Sequence, residues 1–239
     1  MKKIFFLACI ISTTLFSCAQ KTIVNDDNAQ PRTINASFHA IKVSGGIDVL
    51  LSQYQTESVA VSASEEKYTD AIKTVVENGV LKIYSEGSSG WSMGNRKMKV
   101  YVSFKNLDQV QATGASEVIA AGNISVPVLK LDLSGASNFK GTLYIADLTL
   151  KLSGASDVKI NGTATNVFIE SSGASDVKAY DLIVENCTAK ASGASDINIT
   201  VNKEMTVTAS GASDVFYKGN CVIKSISSSG ASTISKKLI

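Results

Sequence analysis

Four aspartates, Asp157, Asp176, Asp196 and Asp214, each follow the same tetrapeptide, Ser-Gly-Ala-Ser; Glu117 and Asn138 stand at the equivalent place in two earlier copies. Carboxylates at a fixed repeat are the side chains best able to do chemistry in this chain. A row of them could coordinate Ca²⁺ or accept hydrogen bonds from glycan hydroxyls. A pair at a set separation, one with a raised pKa, could hydrolyse a glycosidic bond. Against this, four like charges about 5 Å apart repel by roughly 1 kcal/mol per neighbouring pair in water. Lys140, Lys159 and Lys178 fall two residues further on and on the same face, so they would offset that repulsion. Each carboxylate could also accept a backbone hydrogen bond at its own turn. That structural role is the one expected. The acids are evenly repeated, none lies singly in an apolar cleft, and the Gly-Gly-x-Gly-x-Asp run of calcium-binding repeats is absent. No metal-ligand spacing and no cofactor motif occurs.

Other reactive residues are few. Trp91, with Met93 beside it, lies in a Gly/Ser loop (residues 87–94) and could stack on a sugar or insert into a partner. His39 begins an extended segment and is expected to be a surface or hydrogen-bonded histidine. Cys187 and Cys221 occupy different places in their repeats, so two buried thiols are expected in preference to a disulfide. The glycine-bearing motifs are not phosphate loops, because no helix follows them. Net charge is +2 and only 18% of residues are charged, so no basic stripe is available to track nucleic acid.

The elements that must position these residues come from a repeat. Gly-Ala-Ser begins at Gly114, Gly135, Gly154, Gly173, Gly193, Gly211 and Gly230, at intervals of 21, 19, 19, 20, 18 and 19 residues. Between copies the pattern alternates as strands do, as in Leu148-Thr-Leu-Lys-Leu152 and Val158-Lys-Ile160. A period near 19 is too short for a propeller blade and lacks the leucine-rich signature. It fits one coil of a β-solenoid, two or three short strands joined by tight turns, with a rise of about 4.8 Å per coil. The seven glycines are then corners stacked in a column, where φ > 0 is tolerated and small neighbours permit close approach. Parity places Val158, Ile160 and Val177 inside, with Asp157, Lys159, Asp176 and Lys178 outside. A second turn is expected at Gly122, Gly141, Gly162 and Gly219.

Residues 33–113 read as irregular N-terminal β coils, or as a capping unit, continuous with the regular repeats of 114–239. Strands are expected at 59–61, 80–84 and 99–104, a short helix at 65–72, and Tyr101 and Phe104 in the core. At the N-terminus, Met1-Lys2-Lys3, an apolar run and Leu15-Phe16-Ser17-Cys18 form a lipoprotein signal over 1–17 with Cys18 as the acylated residue. Residues 18–32 read as a flexible tether. The apolar run is too short to span a membrane comfortably.

Val43-Ser-Gly-Gly-Ile-Asp-Val, Asn78-Gly-Val-Leu-Lys-Ile-Tyr84, the repeated Ser-Gly-Ala-Ser-Asp and the closing Ser229-Gly-Ala-Ser232 together resemble the autotransporter-adhesin head GIN-domain family of Bacteroidetes. The resemblance covers nearly all of the mature chain. It implies a right-handed parallel β-helix similar to pectin lyases and a role in adhesion, with no catalytic residues to carry over. The expectation is a non-enzymatic lipoprotein at the outer membrane, held by its lipid and displaying a solenoid surface to a glycan or a cell-surface protein. The alternatives are a polysaccharide lyase or hydrolase, and a purely structural envelope component.

Overall fold

The computed structural model describes residues 26–87 and 96–238. The signal, Cys18, Trp91 and Met93 lie outside the described residues. The chain is built almost wholly of strands: β1 (Gln30–Arg32), β2 (Ala40–Val43), β3 (Asp48–Gln53), β4 (Ser58–Ser62), helix α1 (Glu66–Ala71), β5 (Ile72–Glu77), β6 (Val80–Ser85), β7 (Lys99–Phe104), β8 (Gln109–Ala112), β9 (Glu117–Leu133), β10 (Asn138–Leu152), β11 (Asp157–Ser171), β12 (Asp176–Ala191), β13 (Asp196–Ala209), β14 (Asp214–Lys218), β15 (Val222–Ser228) and β16 (Thr233–Lys236). From β9 to β13 the strands stack in parallel, each on the next, β14 and β15 both pair with β13, and β16 pairs with β14, giving a β-solenoid with coils of about 19 residues.

The corner glycines line up along one edge. All seven have φ between +72° and +82°. At each corner the alanine N–H donates to the glycine carbonyl one coil earlier at 2.7 Å, from Ala136 to Gly114 through to Ala231 to Gly211. The closing serine of every corner from Ser116 to Ser213 is buried, not merely small. Its hydroxyl donates to the carbonyl three residues back, as in Ser156 to Ser153 (2.9 Å) and Ser213 to Ser210 (2.8 Å). A buried hydroxyl without such a partner would cost about 1–3 kcal/mol. The parity reading holds: Val158, Ile160 and Val177 are buried, while Asp157 and Lys159 are exposed.

From β9 to β13 each coil is one long strand bent twice, rather than two or three strands separated by turns; in the last coil the chain does break between β14 and β15, at the turn expected at Gly219 (φ +93°). Alternation breaks near Gly141 and again at Ala146-Asp147, where two successive side chains face out. Neither bend interrupts the parallel ladder, which runs from Asn138↔Asp157 to Leu152↔Ser171. The expected second turn is therefore a bend inside a paired strand. It also absorbs much of the uneven spacing, with register shifts at Lys140/Thr142, Lys159/Asn161 and Ala179/Ile183; two more lie near the other bend, at Val184/Asn186 and Met205/Thr206. Bulges there accommodate extra residues without moving the corners.

The N-terminal segment is more than a set of worn coils. Strand β2 pairs with both β6 and β8, and β3 with both β7 and β9, so the first coil of the chain is not the first in the stack. After β3 the chain moves outward and adds β4 and β5 antiparallel to β7 and β6. It returns past the first coil to begin the regular repeats. Where β3 departs, the Gln53 amide stands in for a missing strand: it donates to Ser125 O at 2.9 Å and accepts from Ser125 N at 2.7 Å. The tether expected to reach residue 32 ends earlier. Strand β1 pairs antiparallel with β4, and Tyr101 Oη donates to Asp26 Oδ2 at 2.8 Å. Tyr101 is thus an outward residue that docks the N-terminal strand, whereas Phe104 is in the core as expected.

Candidate functional site

The aspartate row exists as a surface feature on the first leg of successive coils, bounded by Lys99 and Thr233. Registers run Asp48↔Glu117↔Asn138↔Asp157↔Asp176↔Asp196↔Asp214, so the row is longer at its N-terminal end than the motif revealed. Lysines interleave with it. Lys140 Nζ lies 2.6 Å from Glu117 Oε1, and Lys178 Nζ lies 3.2 Å from Asp176 and 3.9 Å from Asp157. Beyond the lysines the row is less compensated. Burial, then the charges of Asp176 and Asp214, push the Asp196 carboxyl above the usual carboxylate range. Burial and then Glu117 do the same to Asp48. Asp214 accepts from the Thr233 amide at 3.1 Å. Among the described residues, no three Asp, Glu, His or Cys side chains converge as a metal site. His39 Nδ1 stands 2.9 Å from Asp108 Oδ2 on the surface, and Cys187 and Cys221 are free thiols.

A second row, missed in the sequence, lies at the other bend. Asp147, Asn166, Asn186 and Glu204 are in register on successive coils. Asn166 Nδ2 donates to Asp147 Oδ1 at 2.8 Å, and Asn186 Nδ2 donates to Asn166 Oδ1 at 3.0 Å. Beside this ladder runs the row Thr149, Phe168, Thr188 and Thr206. Between the two rows is a groove of about 320 Å³ that runs over Leu148, Val167, Cys187 and Met205, whose side chains are buried in the core. The signal was present, since Asp147 and Asn166 each stand twelve residues past a corner glycine. Bulges shift Asn186 and Glu204 by one position, which blurs it.

A third outward row alternates in sign: Asp132, Lys151, Glu170 and Lys190. Lys151 and Glu170 are 3.4 Å apart, and Lys130 holds Asp132 at 2.8 Å. Such exposed pairs contribute little each, but alternation removes the like-charge penalty that the aspartate row retains.

Residues 37–221 match the family described as "Putative auto-transporter adhesin, head GIN domain". None of the curated proteins matches the chain. Among solved structures, a "putative adhesin" from Bacteroides fragilis superposes with a TM-score of 0.82 at 21% identity, over 87% of this chain and 96% of that one. A "putative lipid binding protein" from Parabacteroides distasonis gives 0.66 at 19%, over 89% and 98%. A "putative adhesin" from Parabacteroides merdae gives 0.61 at 19%, over 88% and 95%. At these identities the likeness is one of fold.

Proposed function

The chain belongs to the auto-transporter adhesin head GIN-domain family, and on that premise we propose that it is an exported, non-enzymatic adhesive module. It is held at the outer membrane by a lipid on Cys18 and engages its target through the exposed rows of the solenoid. The observation that carries this reading is the evenness of those rows. A surface that repeats at every coil offers the same group to a repetitive ligand many times, so weak contacts add. The aspartate row lies on an open face beside lysines, where no single acid is set apart from a distinct base. Catalysis by a carboxylate pair needs two such environments. The lipid-binding description of one relative is not carried over, because a lipid needs an apolar cavity and the groove here is flanked by amides, carboxylates and hydroxyls.

Beads coated with the full chain should adhere to glycan- or cell-coated surfaces above the level of albumin-coated beads; failure on every surface overturns the adhesive reading. Release of reducing or unsaturated sugar ends would overturn its non-enzymatic part. Palmitate labelling that is lost in Cys18→Ser, together with protease sensitivity on whole cells, tests the anchor and the exposed location.

A further inference from the structure

We infer that the groove between the Asp147–Asn166–Asn186–Glu204 ladder and the Thr149–Phe168–Thr188–Thr206 row binds a neutral polysaccharide chain lying along the solenoid axis. The inference rests on the adhesive reading and names the site and ligand class that would serve it.

The ladder uses only part of each amide. An asparagine side chain has two donor hydrogens and two acceptor lone pairs. Asn166 spends one hydrogen on Asp147 and one lone pair on Asn186. That leaves the exposed Asn166 one donor hydrogen and one lone pair, and a sugar hydroxyl, itself both donor and acceptor, matches that pair. The opposite wall supplies threonine hydroxyls and one aromatic ring. Phe168 is half-buried, with Lys190 Nζ 5.5 Å from its centroid, and offers the apolar surface on which a sugar ring packs. The site spans four coils in register, so the ligand must be extended and must repeat along the axis.

Charge and backbone narrow the ligand further. Glu204 is paired with Lys224 at 2.9 Å, leaving Asp147 as the uncompensated charge of the lining. Lys190 over Phe168 offsets even that charge, so polyanions such as nucleic acid or acidic polysaccharides would find no excess of positive charge here to hold them. An extended peptide adding as a strand needs free backbone N–H and C=O groups, but the backbone of both rows is committed to the parallel ladders. The two carboxylates at the ends of the groove lie three coil steps apart, about 14 Å. Either mode of glycoside hydrolysis needs them within roughly 5–9.5 Å. The groove holds a glycan without cleaving it.

The test is retention of the full chain on immobilised mannan, xylan, dextran and β-glucan, with alginate, polygalacturonate and heparin as acidic counterparts. At least one neutral polymer should retain it. Phe168→Ala and Asn166→Ala should each weaken that retention roughly tenfold, while Glu66→Gln, exposed on α1 and outside the rows, leaves it unchanged. Thermal melts confirm that the variants fold. Retention on a neutral polymer that neither groove variant alters overturns the site and leaves the adhesive reading standing. Retention on acidic polymers alone, or on none, overturns the proposal too. The bead assay decides adhesion separately.

Discussion

A Cβ placed on Gly173 would stand 2.4 Å from the carbonyl oxygen of Gly154, the same oxygen that accepts the Ala174 N–H at 2.7 Å. The corner column is therefore sealed by the backbone of the coil beneath it. A side chain there must break a hydrogen bond as well as adopt φ +79°. Gly173→Ala should destabilise the fold by about 1–3 kcal/mol, lowering Tm by several degrees for a chain of this size. Gly122 is the internal control. It lies at the bend, has no positive φ, and a Cβ there would meet nothing within 4 Å. Gly122→Ala should leave Tm unchanged or raise it slightly. Equal melting of the two variants would contradict the stacked-corner account.

The raised carboxyl of Asp196 makes a second prediction, and its sign follows from linkage. Its folded pKa lies above the unfolded one, chiefly through burial and then through Asp176 and Asp214. The ionised form therefore costs stability. That cost is absent below the unfolded carboxylate value of about 4, where both states are protonated, and is fully present above the folded pKa. Asp196→Asn should melt higher than the parent at pH 7, by roughly a few tenths of a kcal/mol after solvent screening. The difference should close by about pH 3. A variant that melts lower at pH 7 would mean that the carboxylate makes an interaction worth more than the repulsion it suffers.

Tyr101 and Asp26 set the docking of β1. Burial raises the Asp26 carboxyl, but hydrogen bonds from Tyr101, Ser62 and Asn28 and the charge of Lys99 outweigh it and hold the group below its ordinary value. Burial and then Asp26 push Tyr101 up to about 12. Asp26 thus contributes stability above its unfolded pKa, lost as pH falls through the lower folded value. Tyr101 contributes below about 10, and that is lost as pH rises toward 12. Tyr101→Phe should speed proteolysis within residues 26–32 at neutral pH while moving the main melt by less than about 2 °C, because β1 is itself the edge strand and, among the described strands, pairs only with β4. Unchanged proteolysis would show that strand pairing alone holds the segment.

What the sequence disclosed and what it hid divide along physical lines. The corners were legible because the column tolerates little change in size: Gly, Ala and Ser recur at all seven corners from Gly114 to Gly230. Inward and outward parity around Val158 and Asp157 followed from the two-residue period of a strand. The Asn166 ladder was obscured because its bend lies downstream of the bulges, so its offset from the corner drifts. The order of the N-terminal coils was not legible for a different reason. That β2 pairs with β6 and β8, on opposite sides, is a matter of which strand returns to which edge. Local pattern does not encode that choice. Tyr101 looked like core because it stands in an apolar run, Lys99-Val-Tyr-Val-Ser-Phe104, yet it takes an outward position there.

The two ends of the solenoid differ, and the difference predicts opposite responses to one kind of substitution. At the N-terminal end, α1 and the antiparallel strands β1, β4 and β5 cover the stack. At the other end β15 pairs with β13, but no described strand pairs with the outer edge of β15. Ile226 stands in register with Val207, at an inward position, yet is 57% exposed, whereas Val207 is 0% exposed. Val207→Lys would bury an unpaired ammonium and should abolish the cooperative melt, a cost of several kcal/mol. Ile226→Lys keeps its charge in water and forfeits only part of one side chain's burial, about 1 kcal/mol. It also places a lysine on an open edge, the usual device against strand-to-strand association. The Ile226→Lys chain should therefore melt within a few degrees of the parent and scatter less light at high concentration. If it unfolds as Val207→Lys does, a covering element must lie over Ile226, and the open end is not open.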